Sequence, residues 1–158
     1  MSFKPFKEAV KKYCKDKHVN SSELVVCNAI IESAQVAWQG HFNVTTLQLT
    51  LKLPDNGYIC ALGTYNLRAI LGVVADDFIR QFVGETDDTV TLDKLNGKPV
   101  RAVLAEHSGP VVGLGHFLDD KFIMFEDYLK EKIVQVTDML CDAMEHAAVR
   151  KGEGQCTE

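Results

Sequence analysis

Gly97–Ile123 reads GKPVRAVLAEHSGPVVGLGHFLDDKFI, and the reading of this stretch decides the fold. Asn96-Gly97 is turn-prone, and Pro99 denies helix to the residue before it. Val100 to Ala105 is an apolar run rich in β-branched residues, interrupted only by Arg101. Glu106 to Pro110 is turn material, and a second apolar run extends from Val111 to Phe117. Two short β-like runs about a Gly-Pro turn predict a hairpin. Asp119-Asp120-Lys121 marks a further turn, and Phe122 to Phe125 leads into a helical pattern. The hairpin gathers Arg101, Glu106, His107 and His116, followed at once by two carboxylates. No other part of the predicted sheet carries as much polar chemistry.

Downstream, Phe125, Leu129, Lys132, Ile133, Val136, Leu140, Ala143, Met144 and Ala147 predict an amphipathic helix over about 124–150. At 1.5 Å per residue it is about 40 Å long, more than a small domain needs. Part of its apolar stripe is therefore expected to meet a second subunit in a symmetric homo-oligomer. Upstream, Leu67, Ile70, Val74, Phe78 and Phe82 place a helix over roughly 66–83, in spite of Gly72. Val44 to Leu53 alternates, with leucines at 47, 49, 51 and 53 and polar residues between them, the pattern of a half-buried strand. Pro54-Asp55-Asn56-Gly57 turns the chain back, so Tyr58 to Leu62 pairs antiparallel with it. Leu24 to Trp38 reads as a further strand with a break near Asn28, helix over 23–34 being the alternative. Residues 3–16 form a short amphipathic helix with Pro5 in its first turn. Thr91 to Leu95 adds a turn of helix.

The predicted class is α+β: an antiparallel sheet of about five to six strands, helices packed on one of its faces, and a long C-terminal helix. A chain of 158 residues supports one domain, taken as 1–151 with a polar tail at 152–158. Its net charge of -5 argues against a module for duplex nucleic acid, which needs a basic face. Five widely spaced cysteines without a CxxC predict reduced thiols rather than a disulfide framework or zinc cluster. With no signal peptide and no run of membrane-spanning length, the chain reads as soluble and cytoplasmic.

Each candidate group has a bland reading beside the functional one. Cys60 and His116 lack the signature of a nucleophilic pair, and a buried structural cysteine is the simpler account. His107, His116, Asp119 and Asp120 match no metal-ligand spacing, so neither metal nor cofactor is expected. Gly113-Leu114-Gly115 lies within a strand-like run and not ahead of a helix, which suits close backbone approach better than a phosphate loop. Arg101 sits among apolar neighbours, where an arginine pairs either with a carboxylate such as Asp119 or Asp120 or with an anionic ligand. Asp119 and Asp120 can accept hydrogen bonds from ligand hydroxyl or amino groups. Trp38 and Tyr65 can stack on a base or serve in the core.

Two segments carry a resemblance. Ile31-Glu32-Ser33-Ala34 and Gly63-x-Tyr65-x-Leu67, then Gly97-Lys98, Arg101, Ala105-Glu106-His107-Ser108, Gly113, Gly115-His116 and Asp120, resemble a family of small proteins of tailed phages and prophages. That family is similar to the first-described Thoeris anti-defence proteins. The likeness covers roughly residues 30–123, and its second segment is the more specific. It implies a non-enzymatic sponge in the cytoplasm of a bacterial host. Such a protein holds a cyclic ADP-ribose isomer intact, so that the defence effector is not activated. By motif position it implies ligand contacts at Arg101, His116, Asp120 and Phe122, with Asp119 beside them and Tyr65 as an aromatic wall. Three departures bear on that site: Ile59 to Thr64 has lost most of the family's glycines, Phe122 stands where the family has tryptophan, and Asp119 stands where it has lysine. An enzyme that degrades such a signal, or a phage protein that inhibits a host protein directly, are the competing readings.

Overall fold

The computed structural model describes residues 3–39, 44–54, 57–65, 68–84, 91–107 and 109–153. Asp55-Asn56 of the expected turn and residues 154–158 of the expected tail lie outside the described residues, whereas Gly152 and Glu153, assigned to that tail, belong to the last helix. In chain order the elements are α1 (Phe6–Lys17), β1 (Val25–Gln39), β2 (Val44–Lys52), β3 (Gly57–Tyr65), α2 (Arg68–Phe82), a 3-10 turn (Leu92–Leu95), β4 (Pro99–Leu104), β5 (Val111–His116), β6 (Phe122–Met124) and α3 (Phe125–Glu153).

The strands form one six-stranded sheet in the order β3-β2-β1-β4-β5-β6, every neighbouring pair antiparallel. Two meanders, β1-β2-β3 and β4-β5-β6, therefore meet at the β1–β4 seam, and α2 carries the chain from the β3 edge back to the centre. The α+β architecture with a long final helix is as the patterning predicts. Residues 23–34 are not helical: Val25 to Ile30 pair with β4, and the ladder to β2 starts at Ile30. The irregularity expected at Asn28 falls instead between Ile31 and Ser33.

β1 is longer than either neighbour, and the two meanders pair with different parts of it. Ile30 is the hinge of this stagger, facing Lys52 at the end of β2 on one side and Pro99 at the start of β4 on the other. The sheet consequently has a step at Ile30, and that step shapes the surface described below.

Alternation sorts the strands onto two faces. Leu47, Leu49 and Leu51 are fully buried on the first, with Ile31, Val100, Ala102 and Leu114. Burying each of these side chains contributes about 1.5–3 kcal/mol relative to exposure. Val74, Phe78 and Phe82 of α2, with Phe125, Tyr128 and Val136 of α3, close over this face. The second face carries Val103, Phe122 and Met124, and α1 covers it with Val10, Phe6 and Tyr13. Placing all helices on one face is thus corrected: the chain uses both faces, because β6 presents Phe122 and Met124 opposite to Ile123.

Pro5 is the residue before the first turn of α1 rather than within it, and α1 ends at His18 in the left-handed conformation (φ 55°). Between α2 and α3 the chain buries a charge. Lys132, which the apolar periodicity placed on the stripe of the last helix, is 5% exposed. Its Nζ lies 2.6 Å from Asp77 and donates to Gln135 at 3.1 Å. The Tyr128 hydroxyl donates to the same Asp77 oxygen at 2.9 Å.

Candidate functional site

Across the second face, Asn28 of β1, Arg101 of β4, Gly115 of β5 and Phe122 of β6 stand in register. Gly115 is what permits this row. A Cβ there would lie 2.2 Å from Cε1 of Phe122, so the ring lies across the glycine and reaches the arginine. Gly113 repeats the device one step along, where a Cβ would meet the Ile123 carbonyl oxygen at 2.4 Å. The glycines of Gly113-Leu114-Gly115 therefore serve close packing and not phosphate binding.

The Arg101 guanidinium carbon lies 4.5 Å from the Phe122 ring centroid. Its Nε donates to the His116 carbonyl at 2.8 Å, and its Nη2 donates to the Asp119 carbonyl. One acceptor ends β5 and the other lies in the β5–β6 turn, so the arginine fastens the start of that turn to β4. Neither is a carboxylate, and among the described residues Arg101 makes no ion pair and its other N–H groups meet no acceptor. Guanidinium carries five donors, so donors and a full charge stay available on a side chain that is only partly buried.

The remaining site candidates divide. Asp120 Oδ1 accepts the Phe6 N–H at 2.9 Å, which caps α1, a helix that has no side-chain cap of its own. Asp119 lies 3.4 Å from His116 Nδ1 and 3.6 Å from Lys121. The Asp119 backbone N–H donates to that Nδ1 at 3.0 Å, which places the imidazole proton on Nε2. His116 faces away from Arg101, because successive strand residues alternate, and its ring stacks on Phe82 at 6.3 Å and 9°. Phe122 is 1% exposed, with Arg101 on its face and the Phe6 ring 5.0 Å away. No face of that ring is left for a ligand to stack on. Tyr65 ends β3 opposite Thr45, at the other edge of the sheet, so it shares no site with Arg101 within one chain; its side chain, like that of Trp38, lies outside the described residues. Glu106 and His107 are exposed at the opposite end of the β4–β5 hairpin from His116.

What the sequence did not single out is the surface beside Arg101. At the step of the sheet, Asn28, Ile30, Lys52, Pro54, Pro99 and Phe117 line a mostly apolar cleft of about 370 Å³. Phe117 and Ile30 are 37% and 46% exposed, and Asn28 is the cross-strand neighbour of Arg101. Lys52 supplies a cation and Asn28 an amide. The alternation of β2 put Lys52 on the polar face, but only the stagger of the strands brings it to Phe117. A second cleft, about 320 Å³, lies between α1 and α3 beside β6. Its charges are largely paired internally, Lys12 with Asp127 at 2.9 Å and Lys4 with Glu131 at 3.9 Å. The hydrogen bond and charge of Asp127 hold Lys12 above its ordinary pKa.

Burial pushes the thiols of Cys14 and Cys27 up, which keeps them protonated and unreactive. Among the described residues, no helix is long and apolar enough to cross a membrane. Comparison with protein families, with curated proteins and with solved structures returns no match to this chain.

Proposed function

We propose that this chain is a binder that takes up a small anionic, nucleotide-type ligand and holds it without cleaving it. The observation that carries the reading is Arg101. Its guanidinium is fixed by two carbonyls and an aromatic face and has no carboxylate partner among the described residues; its cross-strand neighbour Asn28 lines a cleft with an exposed phenylalanine and a lysine. A phosphate suits the guanidinium, and a base suits the Phe117–Ile30–Pro99 wall. His116 and Asp120 are engaged in positioning the turn and capping α1, which supports binding over acid–base chemistry at these residues. The likeness of residues 97–123 to the phage anti-defence family narrows the ligand to a cyclic ADP-ribose isomer or a related immune signal, sequestered in the cytoplasm of a bacterial host. Within that reading the wall falls to Phe117 rather than to Phe122 or Tyr65.

The test is to mix the purified chain with a panel of cyclic nucleotides, measure depletion from solution, then heat the complex and analyse what is released. Recovery of intact ligand is expected. Altered ligand would make the protein an enzyme, and no depletion of any candidate would overturn the proposal. Loss of a charge-assisted contact in Arg101→Ala is expected to cost about 2–4 kcal/mol of binding. Phe117→Ala and Lys52→Ala, both outside the core, are expected to weaken binding with the fold retained. Unchanged affinity in all three variants would remove the site.

A further inference from the structure

One residue of the β5–β6 turn joins Arg101 to a titratable ring. Asp119 carries a backbone N–H, a carboxylate and a carbonyl on one Cα, and each has a partner. The N–H donates to His116 Nδ1 at 3.0 Å. Carboxylate Oδ2 stands 3.4 Å from that same nitrogen and 3.6 Å from Lys121 Nζ. The carbonyl accepts the Lys121 N–H at 2.9 Å and Nη2 of Arg101. An Nδ1 that accepts a hydrogen bond carries no proton, so the carboxylate beside it has no N–H to close on. The ring itself is held in place. It lies parallel to Phe82 of α2 at 6.3 Å, its backbone N–H donates to the Lys121 carbonyl at 2.8 Å, and Val100 of β4 stands opposite. Among the described residues the charged groups that face it are Asp119 and, behind Asp119, Lys121.

We propose that protonation of His116 is a switch that releases Nη2 of Arg101 from the turn. An imidazole takes up its second proton between about pH 8 and 5. Here that proton goes to Nδ1, because Nε2 already carries one, and Nδ1 changes from acceptor to donor. The Asp119 N–H and the new Nδ1–H then meet as two donors, and their bond is lost. Oδ2 replaces it: from 3.4 Å it needs a movement of about 0.5 Å to reach the distance of a charge-assisted bond. Setting the carboxylate on the ring in place of the N–H turns Asp119 about its Cα. The carbonyl turns with it, away from Nη2. Leu118, at the tip of the turn, is 82% exposed, so the turn moves without unpacking the core. Nε keeps its bond, since its acceptor is the carbonyl of His116, which the ladder holds opposite Val100. The guanidinium therefore stays on the Phe122 ring and gains a free donor in acid. The switch belongs to the turn; only its use, a firmer hold on an anion at lower pH, rests on the binder reading above.

The test is NMR of the full isotope-labelled chain, without ligand, titrated from about pH 8 to 5, the range in which histidine changes charge. The His116 ring is expected to show a bare Nδ1 at the alkaline end and a protonated one at the acid end. The Asp119 amide and the Arg101 guanidinium signals are expected to shift with the same midpoint as the ring. His116→Asn separates the switch from general acid effects. Its side-chain oxygen stands in for Nδ1 as an acceptor and does not titrate, so the Asp119 and Arg101 signals are expected to keep their alkaline positions throughout. The remaining amide signals report that this variant is folded. A His116 ring that stays neutral through the range, Arg101 signals that ignore its titration, or a pH dependence that survives in His116→Asn would each overturn the switch. No ligand is present in any arm, so its failure is distinct from failure of the binder reading, which the depletion assay decides.

Discussion

Replacing Gly115 by alanine tests the row on which the arginine is mounted. The added methyl carbon would lie 2.2, 2.3 and 2.7 Å from Cε1, Cδ1 and Cζ of Phe122, so the ring must retreat by about 1 Å to reach ordinary contact. It has nowhere to go. The ring is 1% exposed, the Phe6 ring stands 5.0 Å from it at 66°, and the guanidinium occupies its face at 4.5 Å. Gly115 has no left-handed φ, so the penalty is steric rather than conformational. Overpacking of this kind costs about 1–3 kcal/mol, and displacing the arginine from the ring adds about 0.5–1 kcal/mol. Together they amount to about 1.5–4 kcal/mol, or a fall in Tm of roughly 3–16 °C for a chain of this size. Urea unfolding of Gly115→Ala, Phe122→Leu and the double variant is the assay. Because the smaller side chain at 122 makes room for the methyl, the double variant is expected to recover at least 1 kcal/mol of the summed single costs. A Gly115→Ala protein within about 0.5 kcal/mol of the unmodified one, or two effects that simply add, would refute the packing argument.

Two further outcomes concern the helices. Hydrogen bonds and charge from Lys130 and Lys17 hold Glu126 down at about 2, against an ordinary 4.5. The folded-state value is the lower one, so this carboxylate's contribution is present above 4.5 and is lost as the pH falls toward 2. Glu126→Gln is therefore expected to flatten the acid limb of stability in that window and nowhere else, as followed by chemical denaturation at successive pH values. In Asp77→Ala the buried Lys132 loses its carboxylate, at an expected cost of about 3 kcal/mol. Adding Lys132→Met should return most of it. Failure of the second change to rescue the first, in thermal melts, would mean that the ammonium is not what makes the first one costly.

How far the sequence reached can be judged residue by residue. The leucines at 47, 49 and 51 announced a half-buried strand because alternation is a local signal, and they are fully buried. The hairpin about Glu106–Pro110 was legible for the same reason. Arg101 was expected to meet a carboxylate or a ligand, and no rule of side-chain pairing pointed to the two backbone carbonyls that hold it. Those acceptors exist only because the β5–β6 turn folds back over β4. The burial of Phe122 was hidden for a related reason, since it depends on the empty position at Gly115 in the neighbouring strand. The cleft at Phe117 comes from the stagger of two meanders on β1, a property of register that composition does not carry. Placing α1 on the face opposite to α2 needed the knowledge that Asp120, 114 residues later, caps its first turn.

That cap has a consequence for how the protein comes into being. Lys4 exchanges backbone hydrogen bonds with Phe122, and Asp120 receives the N–H of Phe6, so the first helix is seated by residues that emerge long after it. At about 5–20 residues per second, the apolar side of α1 waits on the order of ten seconds beside the ribosome for the strand that will cover it. The central strand waits too, since β1 is flanked on its second side only when β4 has been made. The nascent chain therefore offers its earliest greasy surfaces to whatever is near, and the last turn of the sheet acts as the clasp that withdraws them.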